Sequence, residues 1–177
     1  EHYRQTLPVE TDELYTPKTP MNATNSIFDY AKKFRALHTD HEVLYTELGG
    51  IVLVSDTRTM TFKCDAIMRD EHGNIFGIDH KTSQRRYSDW GDHWTLSTQM
   101  LTYLHALHCL YTEQEEITML VRCAFFYKKD PTVFEEHPIA KTAVQMQAWL
   151  ERTNQWIDRM QIDTDIFINE DNTDNSV

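Results

Sequence analysis

The sequence predicts an α/β or α+β sandwich, a central mixed β-sheet flanked by helices in the order αββββαβα. Three observations predict it. Residues 42–81 hold short apolar and β-branched runs broken by turn signals. Helical apolar spacing precedes and follows that block. A β-branched and aromatic run at 117–127 then lies between two helical segments. With 177 residues, 40% hydrophobic and 11% aromatic, the chain has the length for one domain and the material for a core.

The elements follow in order. Residues 1–23 carry Pro8, Pro17 and Pro20 among polar residues and read as an irregular leader. A short helix is predicted from Asn25 to about Leu37, with Ile27, Phe28, Ala31, Phe34 and Leu37 on one face. Strands are predicted at Glu42–Leu48 and Ile51–Ser55, with Gly49-Gly50 as the turn between them. Met60–Arg69 and Ile75–Lys81 form a hairpin around Asp70-Glu71-His72-Gly73-Asn74. A polar loop spans Thr82–Gly91, and a long helix runs from about Asp92 to Tyr111. The strand at Ile117–Tyr127 ends at Lys128-Lys129-Asp130-Pro131. A last helix is predicted from about Pro138, a residue favoured at the first helical position, to Met160. Residues 163–177 carry five acids and no base, and the last few read as a disordered tail. The domain proper is thus 24–162.

Charge and cysteine content exclude several classes. The formal charge is −11, so the chain is no polybasic nucleic-acid binder and no protein held to anionic lipid by bulk charge. No apolar run approaches the ~18–20 residues that span a bilayer. The chain starts at Glu1 without Met and shows no secretory signal, and it reads as a processed piece. Cys64, Cys109 and Cys123 form no C-x-x-C pair and are odd in number, which points to buried free thiols in a cytoplasmic protein.

The hairpin concentrates the chemistry. With symmetry about His72, Arg69 faces Ile75, Ile67 faces Gly77 and Asp65 faces Asp79. Directly opposed residues share a sheet face, and so do Asp79 and Lys81, two apart on one strand. The opposite face carries Cys64, Ala66 and Met68 against Phe76, Ile78 and His80, and is expected to be the core face. Opposed carboxylates destabilise a sheet, and a hard divalent cation between them removes the penalty. The competing reading is an exposed strand pair with ordinary Asp–Lys contacts.

Three segments then carry a family resemblance. They are Phe62-Lys63-Cys64-Asp65-Ala66-Ile67, Gly77-Ile78-Asp79-His80-Lys81-Thr82-Ser83 and Gln99-Met100-Leu101-Thr102-Tyr103. An acid on a strand, Asp-x-Lys-Thr on the next, and Gln-x-x-x-Tyr on the following helix resemble the PD-(D/E)XK nuclease superfamily, in its RecB-like, phage-type exonuclease branch. The resemblance implies a restriction-endonuclease-like fold. It implies that Asp65, Asp79 and the backbone carbonyl of His80 bind one or two Mg²⁺ or Mn²⁺ ions, with Glu47 as a further acid. It implies that Lys81 acts on the attacking water, that Gln99 and Tyr103 steady the phosphate or the active-site strand, and that Thr82 is structural or touches phosphate. The implied activity is hydrolysis of phosphodiester bonds in DNA, by an exonuclease acting on a single strand or duplex end in recombination, repair or phage DNA processing. The implied setting is the cytoplasm of a bacterium or phage-infected cell, with a helicase or recombination protein as partner and no membrane.

Departures from the pattern are visible. Phe62 stands where the family often has Gly, and a metal-binding His on an N-terminal helix has only His2 and His41 as candidates. The four cysteines of the iron–sulfur subgroup are absent, so no cluster is expected. The loop Gln84-Arg85-Arg86-Tyr87-Ser88-Asp89-Trp90 follows the Asp-x-Lys strand directly. Its Arg85 and Arg86 suit phosphate, and Tyr87 and Trp90 suit stacking on unpaired bases. The side chain of His80 points away from Asp79 and reads as structural. Two other functions compete: a catalytically inactive scaffold or protein-interaction domain of the same fold, and a DNA-mimicking inhibitor that uses the acidic charge directly.

Overall fold

The computed structural model describes residues 14–128 and 131–173, with backbone alone at 37–38 and 164–173. The elements are α1 (Pro20–Lys33), α2 (Arg35–Asp40), β1 (Glu42–Leu53), β2 (Thr59–Arg69), β3 (Ile75–Ser83), α3 (Asp92–Thr95), α4 (Thr98–Leu110), β4 (Thr118–Phe125), β5 (Val133–Ile139) and α5 (Ala143–Thr173). The five strands form one sheet in the order β1-β2-β3-β4-β5. β3 and β4 pair in parallel and the other neighbours antiparallel, so the sheet is mixed, as expected.

Helix starts follow local chemistry. Thr19 caps α1 by accepting from Asn22 N–H at 3.2 Å, and Pro20 occupies the first turn. α1 therefore starts five residues before the predicted Asn25 and ends at Phe34. Its inner face also differs: Ser26 is buried, while Ile27 and Phe28 are 67% and 71% exposed. Ser26 reaches Thr132, and Tyr30 reaches His80 and Arg122. These polar partners across the sheet outweigh the apolar periodicity. α5 opens on a capping box in which Gln145 N–H donates to Thr142 Oγ1 and Gln145 Oε1 accepts from Thr142 N–H.

Gly49-Gly50 is not a turn. Both residues lie inside the continuous strand β1, and the β1–β2 turn comes later, closed by Val54 N–H to Arg58 O at 2.9 Å. A Cβ at Gly50 would meet the Phe62 ring at 2.9 Å, so the glycine serves close packing. Two predicted strands are therefore one. A strand was instead missed at β5, where Pro138 pairs with Leu120 on the sheet edge rather than opening a helix. The predicted helix 92–111 is interrupted at Leu96–Ser97. α5 continues to Thr173 in the segment expected to be tail, and residues 174–177 lie outside the described ones. Residues 1–13 of the expected leader do so too.

The core lies mainly between the sheet and α4. Ile67, Ile75, Met119, Val121 and Ile139 from the strands pack with Met100, Leu104 and Leu107 of α4, and with Met146 and Trp149 of α5. Gly77 lies under this contact, where a Cβ would collide with Met119 and approach Leu107 Cδ1 at 3.2 Å. The α4 face of β3, on which Gly77, Asp79 and Lys81 alternate, is therefore the main core face. That corrects the assignment of the core to the opposite face: a helix bearing an almost unbroken apolar surface packs against the shorter side chains. Cys64 and Cys123 are buried free thiols, but Cys109 is exposed.

Candidate active site

The β2–β3 hairpin has the predicted register, with Arg69 opposite Ile75, Ile67 opposite Gly77 and Ala66 opposite Ile78. Asp70 builds its turn by accepting from the backbone N–H groups of His72 and Asn74 at 2.9 and 2.8 Å. Backbone pairing stops at Ala66. Beyond it, Asp65 Oδ2 accepts from His80 N–H at 2.7 Å, so a side chain continues the ladder where the strands part. In an antiparallel pair a residue turns its N–H and C=O to the same neighbour. The His80 carbonyl therefore faces the Asp65 side of β3.

Asp79 is 2% exposed. Lys81 Nζ lies 2.8 Å from its Oδ2 as an ion pair, and no other described group donates to that oxygen. Burial, aided by the nearby charge of Asp65, raises the Asp79 carboxyl above its usual range, against the pull of Lys81. A buried carboxylate oxygen held by one ammonium alone has lone pairs left for a cation.

Lys81 is positioned from α4. Its Nζ donates to Gln99 Oε1 at 2.9 Å and sits 5.1 Å from the Trp94 ring centre. Gln99 Nε2 donates to Tyr103 Oη at 2.7 Å, and Tyr103 in turn donates to Lys63 O. Residues i and i+4 on α4 thus tie the lysine to the backbone of β2. Burial raises the Tyr103 phenol, which stays protonated and able to donate.

Other expected residues are not brought to this point. Glu47, in left-handed backbone with φ 53°, turns its side chain to Lys63 at 2.5 Å, and that contact raises the lysine. Among the described residues no three His, Cys, Asp or Glu side chains converge to hold a metal. The oxygens at this point that could hold a hard cation are those of Asp65, Asp79 and the His80 carbonyl. His41 packs against Phe76, and His2 lies outside the described residues. Arg86 is paired with Glu135. Trp90 packs on Phe125 and His137, with ring centres 5.4 and 6.2 Å apart, because Gly91 lets β5 approach. Its half-buried ring thus contributes to the packing of the fold. Arg85 and Tyr87 are exposed, and Thr82 accepts from Lys18 at 2.8 Å.

Sequence reasoning missed a second cluster on the α1 face of β3. Arg122 is 1% exposed, and its Nε and Nη2 donate to Glu136 Oε2 at 2.9 and 2.5 Å. Burial and the Arg122 charge hold the His80 imidazole below its ordinary value. The available signal was one Arg between Val121 and Cys123 in an otherwise apolar strand.

Three comparisons bear on this arrangement. The family model of the PD-(D/E)XK nuclease superfamily matches residues 5–172. No curated protein matches the chain. A solved structure titled "Crystal structure of SSO0001" is similar at 15% identity and a TM-score of 0.43, covering 88% of this chain and 68% of that one.

Proposed function

Because the chain belongs to the PD-(D/E)XK nuclease superfamily, we propose that it hydrolyses phosphodiester bonds in DNA with a divalent cation held at Asp65, Asp79 and the His80 carbonyl. The observation that carries this reading is the buried Asp79 Oδ2, whose one described partner is the Lys81 ammonium at 2.8 Å. When bound there, Mg²⁺ or Mn²⁺ supplies positive charge against the scissile phosphate and makes a nearby water more acidic. Lys81 has three N–H donors. One is taken by Gln99, and its charge faces Asp79, so a further donor remains for the attacking water or a phosphate oxygen. Gln99 and Tyr103 hold that ammonium in place. Arg85 and Tyr87 are the members of the 84–90 loop left for strand contact. An exonuclease acting in recombination, repair or phage DNA processing, alongside a helicase or recombination protein, is the specific role we favour.

One observation favours the inactive-scaffold alternative: Glu47 is engaged by Lys63, and no third acid among the described residues joins the pair. Labelled single- and double-stranded DNA, incubated with Mg²⁺, Mn²⁺ or EDTA, separates the two readings. Cleavage that needs the cation and is lost in Asp79→Ala and Lys81→Ala supports the nuclease. Cleavage persisting in EDTA or in both variants sinks this mechanism, and no cleavage with no cation binding supports the scaffold.

A further inference from the structure

A hollow runs from the proposed site along the start of α4. Gln99 and Tyr103, the side chains that tie Lys81 to β2, border a shallow trough with Thr98, Met60 and Lys63. Met60 and Thr98 also border the next hollow, a groove of about 610 Å³ between α4 and α5. That volume lies within the ~300–1,000 Å³ of ligand clefts. Leu96 and Trp156, 74% and 64% exposed, line it over a floor of buried Leu101 and Trp149. Arg152 and Lys141 are its charged side chains. Arg152 and Trp156 stand at i and i+4 on α5 and so share one helix face.

The charge of this path is unlike that of the whole chain, which has 28 acids and a formal charge of −11. Among the described residues that border the trough and the groove there is no Asp or Glu. The neighbouring acids are engaged: Glu47 holds Lys63, Glu151 accepts from Gln147, and Asp158 pairs with Arg58. Arg152 is exposed, and no described acid pairs with it. We propose that a single DNA strand runs along this path, with an unpaired base on the face of Trp156 and its phosphate at Arg152. Every base has a face that stacks on an indole, and a guanidinium donates to phosphate as a fork. Bases inside a duplex are stacked on one another, so the occupant is a single strand. Its backbone is repelled by the acidic surface elsewhere and drawn to the acid-free strip. Binding in the groove stands without the proposed function, whereas delivery of the strand to Asp79 and Lys81 rests on it.

Fluorescence anisotropy of a labelled oligothymidine, in EDTA and at low salt, tests the groove without the cation. Trp156 is 64% exposed, so replacing it leaves the core in place. Trp156→Ala should bind about 10-fold more weakly than wild type, and Trp156→Phe, which keeps a ring, should bind nearly as well. Arg152→Gln should flatten the slope of log K against log salt by about 0.7, the loss of one phosphate contact on a single strand. An oligomer of the same length without bases should bind wild type and Trp156→Ala alike. Equal binding of oligothymidine by wild type and Trp156→Ala overturns the inference, and so does a wild type that binds none. If Trp156→Ala breaks a dimer in sedimentation while the strand stays bound, the groove belongs to a second copy and the inference falls. Cleavage assays run alongside keep the two readings apart. Trp156-dependent binding by a protein that never cleaves upholds the groove and removes the nuclease reading. Cation-dependent cleavage with binding indifferent to Trp156 does the reverse.

Discussion

The two faces of the sheet each carry an acid–base pair in which one partner is buried, and the pairs are built differently. On the α1 face, Arg122 makes hydrogen bonds through Nε, Nη1 and Nη2 to Glu136 and Tyr30 and lies over an aromatic ring. On the α4 face, the buried oxygen of Asp79 has the Lys81 ammonium at 2.8 Å and no other donor among the described residues. The first pair, bonded through all three guanidinium nitrogens, fixes the packing of α1, β4 and β5. An unsaturated one costs free energy in isolation and recovers it when something charged arrives. Bonding state, more than charge alone, separates the structural pair from the reactive one.

The largest expected effect is on catalysis at the unsaturated pair. Lys81→Met should lower DNA cleavage by about 10²–10⁴-fold in a single-turnover assay, with the fold kept. Asp79→Asn should abolish cleavage yet raise Tm in cation-free buffer, at about 2–4 °C per ~1 kcal/mol in a chain of this size. The sign follows from its raised carboxyl: the folded state binds the Asp79 proton more tightly than the unfolded state does. The contribution of Asp79 to stability is therefore present at acid pH and lost as pH rises from the ordinary carboxylate value, 3.8, through the raised one. Wild type minus Asp79→Asn, followed by thermal melts across that range, should become less favourable with rising pH.

The Arg122–Glu136 pair should respond in the opposite way. Glu136→Gln leaves the Arg122 charge buried and should cost up to about 3 kcal/mol in urea unfolding, less than a fully enclosed pair because Glu136 is 36% exposed. A smaller catalytic effect is expected at Gln99→Leu, about 10- to 100-fold, because one hydrogen bond to a charged group is worth roughly 1.5–3 kcal/mol. The least is expected of Arg86→Ala. Its partner is a surface Glu135, and the loss in stability should stay under about 1 kcal/mol.

The hairpin was legible in the sequence because its determinants are local. Asp70, Gly73 and Asn74 set the turn, and the turn sets which residues oppose one another. The superfamily and the mixed sheet were legible for the same reason: the three segments carry their spacing with them. Other features depend on partners far along the chain. Gly49-Gly50 reads as a turn until Phe62 is laid across it. Pro138 reads as a helix start until Leu120 pairs with it. Trp90 reads as a stacking platform until Phe125 and His137 close on it. Arg122 gives no periodic signal, and its meaning comes from Glu136 and Tyr30, each on another element. The α4 face of β3 was assigned wrongly because Asp79 and Lys81 read as surface, although the same face carries Ile67 and Gly77 against Leu107.

The central claim is that the under-bonded carboxylate of Asp79 is a cation site. Thermal melts of cation-free wild type and Asp79→Asn, each with and without millimolar Mn²⁺, test it most directly. A cation that binds only the folded state stabilises by an amount set by its concentration relative to Kd, about 2.7 kcal/mol at a hundredfold excess. Wild type should gain several degrees from Mn²⁺ and Asp79→Asn none. Equal gains in the two proteins, or no gain in wild type at any concentration, would contradict the account.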